Sequence, residues 1–171
     1  MATPQYAEYL EFARHVAEAA GQVILPHFRE VIAVEDKGGA REYDPVTEAD
    51  RAAEAVIRAE IARAYPTHGI FGEEHGRVQG TSPFTWVIDP IDGTKSFILG
   101  QLHWGTLIAL NDGTRAVAGV MHQPFVGETF AGAIGATAYW RRNSVVSGMR
   151  ISWQRAVAIH PWRSRSFQGT S

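Results

Sequence analysis

Residues 86–97 read WVIDPIDGTKSF. An apolar run, Trp86-Val87-Ile88, ends in Asp89-Pro90-Ile91-Asp92 and passes straight into Gly93-Thr94. Two carboxylates three positions apart at the mouth of a buried strand repel each other and resist desolvation. They are costly there unless something neutralises them. Taken alone, an Asp-x-x-Asp is a turn or a pair of caps, so the surrounding sequence has to decide.

Upstream, apolar residues fall at Tyr6, Leu10, Ala13, Val16, Ala17, Ala20, Ile24 and Phe28. That spacing predicts a helix from Gln5 to about Phe28, loosened at its end by Pro26. VIAVEDKGGAREYDPV (31–46) reads as a strand and then a Gly-rich loop. A second helix is predicted from Thr47, because Asp50 three positions on makes a capping box. It runs through Ala53, Val56, Ile57 and Ile61 and stops at Pro66. GIFGEE (69–74) and FTWVID (84–89) read as short buried strands ending in acids. WGTLIAL (104–110), the turn NDGT (111–114) and RAVAGVMHQP (115–124) predict a hairpin, since Asp-Gly suits its tight turn. GETFAGA (127–133) adds a strand. Two helices followed by mostly antiparallel strands define an α+β class rather than a βαβ wheel.

Acidic residues therefore gather in several places: Asp44 and Asp50 around Thr47, Glu73-Glu74 after one strand, and Asp89 with Asp92 after another. A divalent cation removes the penalty of that gathering, and oxygen donors in a chain without Cys favour Mg²⁺ over zinc. Pro90 fixes one backbone torsion, so the two carboxylates and the carbonyl between them can converge on cations. Gly93 leaves room for close approach, and amides at the start of a following helix can hold a phosphate. Metal ions beside a phosphate nest imply hydrolysis by a metal-activated water.

Together these residues resemble the inositol monophosphatase family of Mg²⁺-dependent, lithium-sensitive phosphatases. The resemblance rests on DPVTEAD (44–50), GEEHG (72–76) and WVIDPIDGTKSF, with WGTLIAL downstream, and runs from the first helix to about Trp140. It implies two N-terminal helices on a mainly antiparallel sheet, with the family's second α/β domain truncated. Glu73, Asp89 and the Ile91 carbonyl would hold a first Mg²⁺, and Asp92 would join Asp89 at a second. Two or three ions per site, and inhibition by Li⁺, follow from the same resemblance. Thr94 would orient or deprotonate the attacking water, with Asp50 behind it and Glu74 supporting the water network. The amides of Gly93 and Thr94 would bind the substrate phosphate, while Asp44 and Thr47 would shape the loop bearing Asp50. Within the family, Lys95, Ser96 and Trp104 resemble the histidinol-phosphate phosphatase branch, which serves histidine biosynthesis. The alternatives are an inositol 1-phosphate or sugar-phosphate phosphatase, or an inactive metal- or phosphate-binding remnant.

His68, His75, His103 and His122 are read as loop or hydrogen-bonded structural residues rather than ligands, and His68 has no evident partner. Family members carry a later Trp-Asp motif, whereas this chain has no Asp after Asp112 and one Glu, Glu128, beyond it. Residues 1–128 hold 10 Lys+Arg against 18 Asp+Glu, and residues 129–171 hold six arginines and no acid. The expectation is a family-like, incomplete phosphatase domain over 1–143, its activity impaired by the truncation, and an unrecognised, non-native basic tail over 144–171.

The remaining bounds come from composition. With 171 residues, 45% of them hydrophobic, the chain can bury a core and form one domain. No apolar run approaches the roughly 20 residues that span a bilayer, and the start lacks signal-peptide architecture, so a cytoplasmic protein with no membrane partner is expected. Six arginines with no groove to line make no nucleic-acid surface. A small phosphorylated metabolite is the expected partner, and a homodimer is compatible with the reading.

Overall fold

The computed structural model describes residues 4–37, 45–136, 138–142 and 145–147. Helix α1 spans Pro4–Ile24 and passes into a 3-10 turn at Leu25–His27, where Pro26 supplies no amide for a continuing ladder. Its buried residues Leu10, Ala13, Val16, Ala17, Ala20 and Ile24 have the 3.6-residue spacing of a single apolar stripe. Helix α2 (Glu48–Ala64) starts at the capping box expected of Thr47 and Asp50 and ends at Tyr65, just before Pro66. Its stripe is Ala49, Ala53, Ile57 and Ile61.

The strands are β1 (Val34–Asp36), β2 (Pro45–Thr47), β3 (Gly69–Gly72), β4 (Gly76–Val78), β5 (Thr85–Asp92), β6 (Gly105–Asn111), β7 (Ala116–Gln123), β8 (Glu128–Ala133), β9 (Tyr139–Arg142) and β10 (Val145–Ser147); a short helix, α3, covers Thr94–Ile98. Strands β1 and β2 make a separate antiparallel ribbon. The others form one sheet in the order β10-β9-β8-β7-β6-β5-β3-β4. Every pairing in it is antiparallel except β3 with β5, which run side by side in the same direction. The architecture is the α+β arrangement read from the sequence, with β2, β4, β9 and β10 added; α3 is the helix expected after Gly93.

Both long helices lie on one face, α1 over β6, β7 and β8 and α2 over β5. That face contributes Trp86, Ile88, Ile108, Leu110, Ala118, Val120, Ala131 and Ala133 to the core. Trp86 is fully buried, and its indole N–H donates to His68 Nδ1 at 3.1 Å. His68 thus has a partner that its sequence neighbours do not reveal, and it stacks on Tyr65 as well. Burial holds its pKa below the ordinary imidazole value. On the opposite face Phe71, Met121 and Phe130 are exposed. Asp44 and residues 148–171 lie outside the described residues, and with them all of the segment read as a basic tail (144–171) except Val145–Ser147, which form β10.

Candidate active site

Parallel strands β3 and β5 both run toward the same end of the sheet, and both finish in acids. This pairing brings Glu73, just past β3, beside Asp89 of β5; the Glu73 charge is the strongest neighbouring charge on Asp89. Asp89 and Asp92 are an odd number of positions apart, so in a regular strand they would point to opposite faces. Between them the register with β6 slips: Asp89 faces Leu107, and Asp92 faces Gly105. Three steps on β5 thus match two on β6, which is a β-bulge, and it returns Asp92 to the face that carries Asp89. Burial agrees, since Pro90 and Ile91 are both buried between the two half-exposed acids. Inside the bulge the buried Thr106 hydroxyl donates to the Pro90 carbonyl at 2.8 Å.

After the bulge the chain turns sharply. Gly93 has φ 89° and opens α3. A Cβ there would stand 2.4 Å from the His103 carbonyl oxygen, so conformation and space both demand glycine. The turn sets Thr94 Oγ1 3.0 Å from the Ile91 carbonyl oxygen and 3.5 Å from Asp50 Oδ1. Asp50 is buried and accepts the Thr47 amide at 2.9 Å and the Thr47 hydroxyl on its other oxygen, Oδ2. Desolvation raises its pKa, and the Thr47 hydrogen bonds oppose that shift.

Glu73, Asp89, Ile91, Asp92, Gly93, Thr94 and Lys95 line one open cleft of about 220 Å³. All four residues expected to hold metal are therefore in it, as are both expected to bind phosphate. Asp50 sits beneath Thr94. Glu74, expected in the water network, is turned inward with its side chain 4% exposed and bonded to Lys37 Nζ at 2.7 Å. The same ammonium lies 3.4 Å from Glu73 Oε1. Burial raises the Glu74 pKa against the pull of Lys37.

Asp89 is the group under greatest strain. Its Oδ1 is buried with no hydrogen-bond partner. Its pKa is pushed up to about 9, first by burial and then by the charges of Glu73 and Asp92. A buried acceptor with lone pairs to offer, beside further carboxylates and a carbonyl, has the chemistry of a hard-cation site, and the donor set is oxygen throughout. The residues fit Mg²⁺ in kind. Among the described residues, however, no three acid or imidazole groups converge into a finished coordination sphere.

Several contributors escaped the sequence reading. Lys37 stands next to the β1 acids, and nothing in its surroundings marks it as a partner of Glu73 and Glu74. Thr106 reads as an ordinary strand residue. Glu54 did carry a signal: it is an acid one turn after Asp50, beside the apolar stripe of α2. His75 is half exposed, as its loop position implied, and its amide donates to Glu54 at 3.0 Å. His122 Nδ1 pairs with Thr129 Oγ1 at 2.8 Å inside the sheet, which is the structural role expected of it.

The fold and this acidic cleft define a class, α+β chains with carboxylates gathered at the end of a bulged strand. Residues 5–163 match the inositol monophosphatase family, and the chain belongs to it. It is 42% identical to the histidinol-phosphatase of Streptomyces coelicolor over 133 residues, 77% of this chain and 47% of that protein. It is 39% identical to the histidinol-phosphatase of Chlorobaculum parvum, across 80% of this chain and 52% of that one. The crystal structure of the extragenic suppressor protein SuhB from Bartonella henselae superimposes with a TM-score of 0.72 at 31% identity, covering 81% of this chain and 54% of that one. The chain spans about half the length of the curated relatives it matches. Among the described residues, no helix is long and apolar enough to cross a membrane.

Proposed function

We propose that this chain carries the cation-holding part of the active site of a Mg²⁺-dependent cytoplasmic phosphomonoesterase that hydrolyses histidinol phosphate to histidinol and phosphate. The observation that carries the reading is the orphaned, buried Asp89 Oδ1 in a cleft whose lining also includes Glu73, Ile91 and Asp92. Glu73, Asp89, the Ile91 carbonyl and Asp92 would hold the metal. Bound there, Mg²⁺ supplies Lewis-acid chemistry: it offsets the carboxylate and phosphate charges and lowers the pKa of water.

The chain's own groups do the rest. The Thr94 hydroxyl, set between Ile91 O and Asp50 Oδ1, orients the attacking water and passes its proton toward Asp50. The Gly93 and Thr94 amides receive the phosphate, with Lys95 adding positive charge on the cleft wall. Histidinol phosphate is favoured over inositol 1-phosphate by the two histidinol-phosphatase relatives and by Lys95, Ser96 and Trp104. Binding without turnover is the second reading; it draws on Lys37, which already meets Glu73 and Glu74 with a positive charge.

The test is phosphate release from histidinol phosphate and from inositol 1-phosphate, in Mg²⁺ and in EDTA, with Asp89→Asn alongside. Turnover of histidinol phosphate that needs Mg²⁺ and vanishes in the variant is the expected result. Preference for inositol 1-phosphate would move the substrate, and Mg²⁺ binding without release of phosphate would favour the second reading.

A further inference from the structure

Helix α2 carries Asp50, Glu54 and Arg58 one turn apart, a polar stripe turned toward the cleft end of the sheet. Asp50 serves the Thr94 side of the cleft. Glu54 is completely buried and serves the other side, the three-residue turn Glu73-Glu74-His75 that joins β3 to β4. Its Oε2 accepts the Glu74 amide at 2.7 Å, and its Oε1 accepts the His75 amide at 3.0 Å and Arg58 Nε at 2.7 Å. Arg58 reaches past it to the Gly76 carbonyl and closes the hairpin from beneath. Gly72 permits this approach: a Cβ there would stand 2.0 Å from Glu54 Oε1.

We propose that Glu54 is a positioning residue that locks the Glu73-Glu74-His75 turn to α2 and thereby sets how tightly the cleft holds its cation. The inference rests on the Mg²⁺ reading above and extends it to a residue outside the cleft lining. The two amides and the guanidinium that bond the Glu54 carboxylate are all donors, and His75 Nδ1 lies 3.4 Å from Oε1, so only an acceptor on both oxygens satisfies the site. A carboxamide would turn its NH₂ against the Glu74 amide or against Arg58, which makes Glu54→Gln a disruptive change rather than a conservative one. Glu73 is then released from the geometry that sets it beside Asp89, and the cation loses a ligand held in place. Outer partners of metal ligands typically carry 10–100-fold of affinity.

Two readouts besides activity test this on the full chain. In wild type, hydrogen exchange at the Glu74 and His75 amides should be as slow as in β5, despite the exposed turn; exchange at the rate of an unstructured chain would overturn the proposal. In Glu54→Gln, those two amides should lose protection while Ile88 and Ile108 keep theirs, and Mn²⁺ affinity measured by electron paramagnetic resonance should fall roughly 10–100-fold. Glu48→Gln, on the exposed side of the same helix, should leave both unchanged. Equal Mn²⁺ affinity in wild type and Glu54→Gln sinks this inference alone. A wild type that holds no Mn²⁺ sinks the metal reading itself. Absence of turnover sinks only the phosphatase reading.

Discussion

Asp50 and Thr94 are 44 positions apart in the chain, and their side-chain oxygens stand 3.5 Å apart. The contact joins the first turn of α2 to the first turn of α3, across the bulge that ends β5. One acid therefore has two duties, capping a helix through Thr47 and facing the hydroxyl proposed to orient water.

Removal of that hydroxyl should separate chemistry from stability. Thr94→Ala is expected to lower turnover by about 10²–10⁴, with a small change in melting temperature, and Thr94→Ser should restore most of it. Steady-state phosphate release and thermal melts of the three proteins check this. An active Thr94→Ala enzyme would remove Thr94 from the proposed mechanism.

Asp89 should oppose folding in the absence of metal. Its folded pKa, about 9, lies above that of a free carboxyl, so stability is present at low pH and declines as pH rises from about 4 toward 9. Asp89→Asn is therefore expected to melt higher than wild type in EDTA at neutral pH. Mg²⁺ should raise the melting temperature of wild type and leave that of the variant where it is. Calorimetry in EDTA and in Mg²⁺ measures both effects.

Thr106→Val keeps the shape of a fully buried side chain and deletes the donor to the Pro90 carbonyl. A buried acceptor left without its partner costs about 1–3 kcal/mol, and urea denaturation should show a loss of that size. If the bulge needs this bond to hold its register, Mn²⁺ affinity will fall as well.

The β6–β7 turn carries the opposite pH signature. The Thr114 hydroxyl, followed by the Arg115 and Thr114 amides, holds the Asp112 carboxyl down at about 2. A depressed carboxyl contributes stability above its unfolded pKa, near 4, and that contribution disappears as pH falls from about 4 to 2. Carbon-13 titration of the Asp112 carboxyl should show the low midpoint, and Asp112→Asn should remove that carboxyl's share of the pH dependence of stability in that window.

Much of the fold was legible because its signals are local. The α1 and α2 stripes, the Thr47–Asp50 box and the Asp-Gly turn each depend on residues a few positions apart. The acids were legible for a related reason, since Glu73-Glu74 and Asp89-x-x-Asp92 stand where apolar runs stop. Strands β2 and β4 were missed because three residues carry no periodicity to read. His68 was misjudged because its partner, Trp86, lies in β5, 18 positions further along the chain.

From sequence alone, residue chemistry and local periodicity determined that two helices are followed by mainly antiparallel strands and that carboxylates gather where those strands end. Only the tertiary structure decided which oxygens meet. Parallel pairing of β3 with β5 sets Glu73 beside Asp89, and the one-residue bulge at Pro90-Ile91 turns Asp92 to the same face. Lys37 and Glu54 reach the 73–75 turn from separate elements. Strand pairing and register are set by contacts between distant segments, and a shift of one residue reverses which face a carboxylate occupies.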